Sequence, residues 1–165
     1  MQTLIGGPVV EDFDRFYLRE FPAMVALACA VSGSRLAAED LAQEALTRAY
    51  RNWPKISGYD KPGAWLRRVT INLSLSSRRR LASETRARLR LGREPSLSEP
   101  PEPHQEVWEA VRRLPGKQRA AVALHYLEDL PVVSVADAIG CSESTAKVHL
   151  HRGRTALAAI LEESE

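Results

Sequence analysis

The sequence predicts an all-α protein of two small helical domains joined by a flexible linker, and three observations lead there. Apolar residues recur at helical spacing through most of the 165 residues. No segment keeps the strict alternation of a half-buried strand; Val132-Val133-Ser134-Val135 comes nearest, but Ala136, Ala138 and Ile139 continue it at helical spacing. One stretch, GREPSLSEPPEP over 92–103, is too rich in Pro, Ser and Glu to hold a regular element and too poor in apolar mass to join a core. The expected organisation is therefore a domain over 9–91, a linker over 92–103 and a second domain over 104–162.

The elements follow in order. Phe13 to Val31 reads as a helix with Phe16, Phe21, Met24, Leu27, Ala28 and Val31 for its buried face, ended by Ser32-Gly33-Ser34. Leu36 to Trp53 is a second helix, apolar at Leu36, Leu41, Ala45, Leu46, Ala49 and Trp53, with Glu39, Asp40, Gln43, Glu44 and Arg48 on its other side. Pro54 to Pro62 reads as a loop pivoting on Gly58. A third helix opens near Pro62, a favoured first-turn position, and runs through Trp65, Val69, Asn72 and Leu73 into Arg78-Arg79-Arg80. After the linker come Val107–Leu114, a break at Pro115-Gly116, and Lys117–Leu127.

The last stretch is the most informative. Val132, Val135, Ala136 and Ile139 line one face of a short helix. Gly140 suits the left-handed residue that ends it, and Ser142 is a good N-cap for the next helix. That next helix sets Ala146, Leu150, Gly153 and Leu157 in one seam and displays Ser144, Thr145, Lys147, His149, His151, Arg152 and Arg154 elsewhere. Short helix, glycine turn, second helix is the helix-turn-helix arrangement, although a plain helical hairpin with a solvated basic face has the same spacing. In the DNA reading Lys147, Arg152 and Arg154 meet phosphates, while Ser144, Thr145 and His151 reach base edges.

Composition agrees with a globular chain: 44% hydrophobic and 27% charged. The net charge of +2 conceals a strong asymmetry. Residues 1–60 carry 6 basic and 8 acidic side chains, residues 61–93 carry 10 and 1, and residues 94–165 carry 7 and 12. One concentrated basic block inside an otherwise acidic chain points to a polyanionic partner. Cys29 and Cys141 have neither metal-ligand spacing nor a disulfide framework, which suggests a reducing cytosol. No secretory signal is read, and the apolar run Ala23–Val31 is too short to cross a bilayer. His149 and His151 diverge on a helix and cannot share a metal. No nucleophile sits in a glycine-shaped cradle, so neither an enzyme nor a cofactor or metal is expected.

Two segments carry a family resemblance. Ala37–Trp53 (AAEDLAQEALTRAYRNW) with Lys61–Arg80 (KPGAWLRRVTINLSLSSRRR) resembles region 2 of sigma-70-family factors, and Leu114–Leu157 resembles their region 4. The abbreviated layout, regions 2 and 4 alone, resembles the extracytoplasmic-function (ECF) group. The resemblance implies transcription initiation: docking on core RNA polymerase, recognition of the −35 and −10 promoter elements, and duplex opening. It assigns Asp40, Gln43, Glu44 and Arg48 to the polymerase beta-prime clamp helices, and region 4 to the beta flap. Tyr59, Trp65 and Asn72 fall at the −10 element, with Arg67, Arg68, Arg78, Arg79 and Arg80 on its phosphates. Ser144, Thr145, Lys147, His151, Arg152 and Arg154 fall at the −35 element. An anti-sigma factor is the expected antagonist. The chain departs from the family at Ser76, where many members have an aspartate, and at Pro131–Ser134, where Ser-Tyr-x-Glu is usual. The rival expectation is a stand-alone helix-turn-helix operator binder, which needs neither the Asp40 face nor the Asn72 block.

Overall fold

The computed structural model describes residues 11–92 and 104–164, so the expected linker, apart from Gly92, lies outside the described residues. Among the described residues all regular structure is helical: α1 Phe13–Ser32, α2 Arg35–Arg51, α3 Trp53–Ile56, α4 Pro62–Arg90, α5 Gln105–Arg112, α6 Gly116–Leu127, α7 Val132–Ile139 and α8 Glu143–Glu162.

Local chemistry sets the helix ends. The Asp12 carboxylate accepts the Arg15 N–H at 2.9 Å and opens α1. Gly33 closes it in the left-handed region at φ 74°, donating its N–H to the Cys29 carbonyl at 2.9 Å. The Ser34 hydroxyl then accepts the Ala37 N–H at 3.2 Å and starts α2.

Two expectations are corrected. The loop expected over 54–62 begins with a helical turn: the Asn52 carbonyl accepts the N–H groups of Lys55 and Ile56 at 3.0 and 2.9 Å, and this coil buries the Ile56 side chain. Leu36, expected on the apolar face of α2, is 71% exposed. The buried stripe is Ala38, Ala42, Ala45 and Ala49 with Leu46, and Leu36 projects almost opposite to it. Short alanine side chains let α1 lie close along α2. Phe13 closes the end of the bundle, edge-on to Tyr50 and Trp53 at centroid distances of 5.1 and 5.5 Å. Phe16, Met24, Leu27, Ala28 and Val31 are buried as expected, while Phe21 is half-buried and stacks on Tyr17.

In the second half α6 is central, with Ala120, Ala121, Ala123 and Leu124 buried. At Gly153 of α8, a Cβ would stand 2.7 Å from the Val122 methyl, so only glycine lets α8 cross α6 this closely. The halves are packed together: α1 lies on α6 and α4 on α7, and one apolar cluster runs through both. Arg119 is the polar pin of this junction. It is 3% exposed, donating Nε–H to the Val31 carbonyl at 2.6 Å and Nη1–H to the Leu114 carbonyl at 2.7 Å. Burial, reinforced by the nearby Arg78 charge, pulls its pKa down to about 10, so at neutral pH it stays a cation satisfied by carbonyl oxygens.

Candidate polymerase and nucleic-acid interfaces

The structure sets the residues assigned from sequence into three places. On α2, Asp40, Gln43, Glu44 and Arg48 are all exposed on the side away from the alanine stripe. Arg48 Nε donates to Glu44 Oε1 at 2.9 Å, an i,i+4 pair that holds the face in order but contributes only about 0.3–0.5 kcal/mol. The face offers carboxylate and amide groups without burying any of them.

The second place is the loop before α4 and the first turns of that helix. Tyr59 is 39% exposed in the loop, and Asn72 is exposed on α4. Trp65 is half-buried against the apolar cluster and serves the core at least in part. The helix is anchored from its opposite side by Leu66, Thr70, Ile71 and Ser74, and the Thr70 hydroxyl is tied to the Leu66 carbonyl at 2.9 Å. That anchoring is why Asn72 faces outward.

The basic residues of α4 divide into two sets. Arg67 pairs with Glu128 of the second half, Nε to Oε2, at 2.9 Å. Arg68 donates to the Asp137 carbonyl, and Arg78 to the carbonyls of Ser32 and Arg112. Arg79 and Arg80 are exposed, and Arg79 reaches the Ser76 hydroxyl at 3.2 Å. So three of the five arginines assigned to phosphate engage other parts of the fold, and all three, Arg67, Arg68 and Arg78, tie α4 directly to the second half. Burial pushes the Glu128 carboxyl above its ordinary pKa, against the Arg67 charge that pulls it down.

The third place is the helix-turn-helix. Gly140 ends α7 at φ 77° and donates its N–H to the Ala136 carbonyl at 2.9 Å. The Ser142 hydroxyl accepts the Thr145 N–H at 3.1 Å and donates to Thr145 Oγ1 at 2.9 Å, so α8 starts with its first polar side chains fixed. Ala146, Leu150 and Gly153 are buried and Leu157 half-buried, while Ser144, Thr145, Lys147, His151, Arg152 and Arg154 are exposed. Ser144, Lys147 and His151 lie along one exposed side of α8, and Lys147 pairs with Glu143 at 3.6 Å with both side chains largely in solvent. His149 faces inward: its Nδ1 is buried without a partner, and burial with the Lys117 and Arg152 charges lowers its pKa, keeping it neutral.

Two features escape a reading of the sequence. One is Glu128, whose role depends on a partner 61 residues away. The other is an apolar groove of about 410 Å³ between α5, α6 and α8, lined by Val107, Trp108, Val111, Tyr126 and Leu127 among others. The partial exposure of Val107, Tyr126 and Leu127 marks it, but no single helix pattern does. Among the described residues no group of three or more His, Cys, Asp or Glu side chains could hold a metal, and no helix is long and apolar enough to cross a membrane.

Residues 16–84 match the family described as Sigma-70 region 2, and residues 104–157 match Sigma-70, region 4. The RNA polymerase sigma-E factor of Streptomyces antibioticus is 35% identical over 130 residues, which is 78% of this chain and 71% of that protein. This chain belongs to the sigma-70 family. Within it the chain falls in the ECF group, alongside relatives described as ECF RNA polymerase sigma factors. The ECF RNA polymerase sigma factor SigW of Bacillus subtilis is 28% identical over 138 residues, 73% of each chain. The sigma factor RpoE of Bartonella quintana, solved in complex with the anti-sigma factor NepR, superposes with a TM-score of 0.75 at 26% identity, covering 93% of this chain and 98% of that one.

Proposed function

We propose that this sigma factor joins core RNA polymerase through the Asp40–Gln43–Glu44–Arg48 face, reads the −35 element with α8, and captures an unstacked −10 base at Tyr59 and Asn72. Region 4 would also engage the beta flap. The observation that carries the reading is the outward display of Asn72 on a helix otherwise anchored in the region 2 core, in a chain that also presents a cationic α8. Unstacking a base costs a few kcal/mol, and an exposed amide and an exposed aromatic ring can recover part of it by hydrogen bonding and stacking. The factor supplies recognition and binding energy; the covalent chemistry belongs to the polymerase.

The domains in this reading are residues 9–91 and 104–162, joined by 92–103. Their packing bears on function. Arg67, Arg68 and Arg78 can meet phosphate only when they leave their present partners, so promoter engagement requires the halves to part. An anti-sigma factor is the natural antagonist, and the RpoE relative is solved in complex with one. Purification with core polymerase followed by run-off transcription tests the reading: specific transcripts that depend on this chain support it. A chain that binds operator DNA as a dimer and ignores core polymerase refutes it.

A further inference from the structure

Val148 is out of character with the rest of the exposed side of α8. It stands in the second turn of that helix and is 44% exposed. The residues three and four places from it, its neighbours on a helix surface, are all polar: Ser144 and Thr145 before it, His151 and Arg152 after it. At about 100° per residue, its direction falls within about 20° of the line opposite the buried seam of Ala146, Leu150 and Gly153. It belongs neither to the apolar cluster of the core nor to the lining of the groove between α5, α6 and α8.

A lone apolar side chain on a surface is ordinary, but valine is poorly suited to a solvated helix. Its branched Cβ crowds the preceding turn, which makes it a weaker helix former than alanine, lysine or arginine. Neither core packing nor helix propensity therefore accounts for Val148. The same branching confines χ1 to one strongly preferred rotamer, so two methyl groups are held in one direction. A stiff apolar knob ringed by hydroxyls, an imidazole and a guanidinium fits a surface that is polar except at one point.

The floor of the major groove is such a surface. Every base pair presents hydrogen-bonding groups there, and among the four bases thymine alone adds a methyl group, at C5. Valine can satisfy no base-edge donor or acceptor, so covering guanine, adenine or cytosine would desolvate a polar group without return. Against thymine it gains an apolar contact. We infer that Val148 is a base-selecting residue that reads a thymine of the −35 element, its methyl groups against the C5-methyl. This rests on the −35 reading of α8 and extends it: Ser144 and His151, one turn to either side, are left to hydrogen-bond neighbouring base pairs, while the position between them is chosen by shape and hydrophobicity.

The test uses holoenzyme reconstituted from core polymerase and the full chain, on the promoter it transcribes in the run-off assay. Each thymine of the −35 element, on both strands, is replaced in turn by deoxyuridine, which removes the methyl group and keeps every hydrogen-bonding group. At one position, wild-type binding to the closed duplex should weaken about fourfold, the effect of one methyl group's apolar surface. V148A should bind the thymine promoter at least as weakly as wild type binds that deoxyuridine promoter, and should be indifferent to the exchange at that position. The exchange is made in the DNA, so its result with wild type stands whatever the folding of V148A. A −35 element in which no thymine methyl matters to wild type overturns the assignment. So does V148A that is as sensitive to the exchange as wild type, since another residue would then read the methyl. K147A, run in parallel, separates this contact from the reading beneath it. Weaker duplex binding by K147A without any methyl effect keeps α8 on the −35 element and removes only the Val148 contact; wild-type binding by K147A means that the −35 reading has failed, and the contact with it.

Discussion

Arg67 and Glu128 face each other across the junction of the two halves, guanidinium Nε to carboxylate Oε2 at 2.9 Å, with side chains 22% and 9% exposed. The pair is largely desolvated, and its members are not equivalent. Arg67 is assigned to phosphate, whereas a carboxylate such as Glu128 would repel one. In the proposed reading, the Glu128 carboxylate holds the Arg67 guanidinium that would otherwise meet a phosphate.

The two single variants should therefore behave differently. R67A leaves a buried carboxylate without its cation and should destabilise the closed arrangement by about 1–3 kcal/mol. E128Q keeps a hydrogen-bond acceptor and removes a charge that burial disfavours, so it should be close to neutral. Denaturant unfolding monitored by far-UV circular dichroism compares them; equal destabilisation would mean that the pair contributes only Coulomb attraction.

The same group sets a pH trend. The Glu128 carboxyl titrates above its ordinary value in the closed state, so that state binds the proton more readily than an open or unfolded chain. Its contribution to closure then falls as pH rises through the interval between the two values, and increases on acidification. E128Q should abolish this component of a stability–pH profile on the alkaline side of the ordinary carboxylate range; an unchanged profile would assign the trend to other groups.

Cleavage should expose how the halves are joined. Residues 92–103 are the proline-rich segment and the expected site of limited proteolysis. Because α1 lies on α6, α4 lies on α7, and Arg119 is buried between Val31 and Leu114, the two fragments should remain together on size exclusion after the cut. Fragments that separate without denaturant would show that the junction is too weak to restrain the domains.

The polymerase face makes a cleaner prediction, because nothing there is buried. D40K or E44K should change stability by no more than about 0.5 kcal/mol. Affinity for core polymerase should fall about tenfold, equivalent to about 1.4 kcal/mol. Pull-down against core polymerase reads the second number and thermal unfolding the first; full affinity in both variants would make the face a plain solvated surface.

What is legible in the sequence follows from how far each signal reaches along the chain. The longer helices show in apolar spacing and in caps such as Ser142 and Gly140, because those signals act within one or two turns. The short α3 turn does not show, since its cause is the burial of Ile56 by the rest of the bundle. Leu36 misleads because its hydrophobicity outweighs register: four alanines hold the true seam. Asn72 emerges through the family resemblance, and the structure adds only that its side chain is exposed on α4. The engagement of Arg67, Arg68 and Arg78 is invisible, since their partners, Glu128 and the carbonyls of Asp137, Ser32 and Arg112, meet them only through tertiary packing.

The two DNA-reading elements should act at different steps. In the proposed reading Lys147, Arg152 and Arg154 on α8 meet intact duplex, so replacing any one should weaken closed-complex formation and reduce the magnitude of the salt slope by roughly one. Asn72 acts after a −10 base leaves the stack. N72A should leave duplex binding by holoenzyme largely unchanged in a gel shift and suppress opening, seen as diminished permanganate reactivity of unpaired thymines. The exposed position of Asn72 removes the usual objection that the variant is simply unfolded, since its side chain takes no part in the core. A premelted bubble supplies the unstacking energy in advance, a few kcal/mol, and should restore much of the variant's transcription. The residual defect on the bubble then measures the hydrogen bonds made by the amide to the captured base. Normal opening of linear duplex by N72A, or poor binding even to premelted DNA, would place base capture elsewhere on the factor.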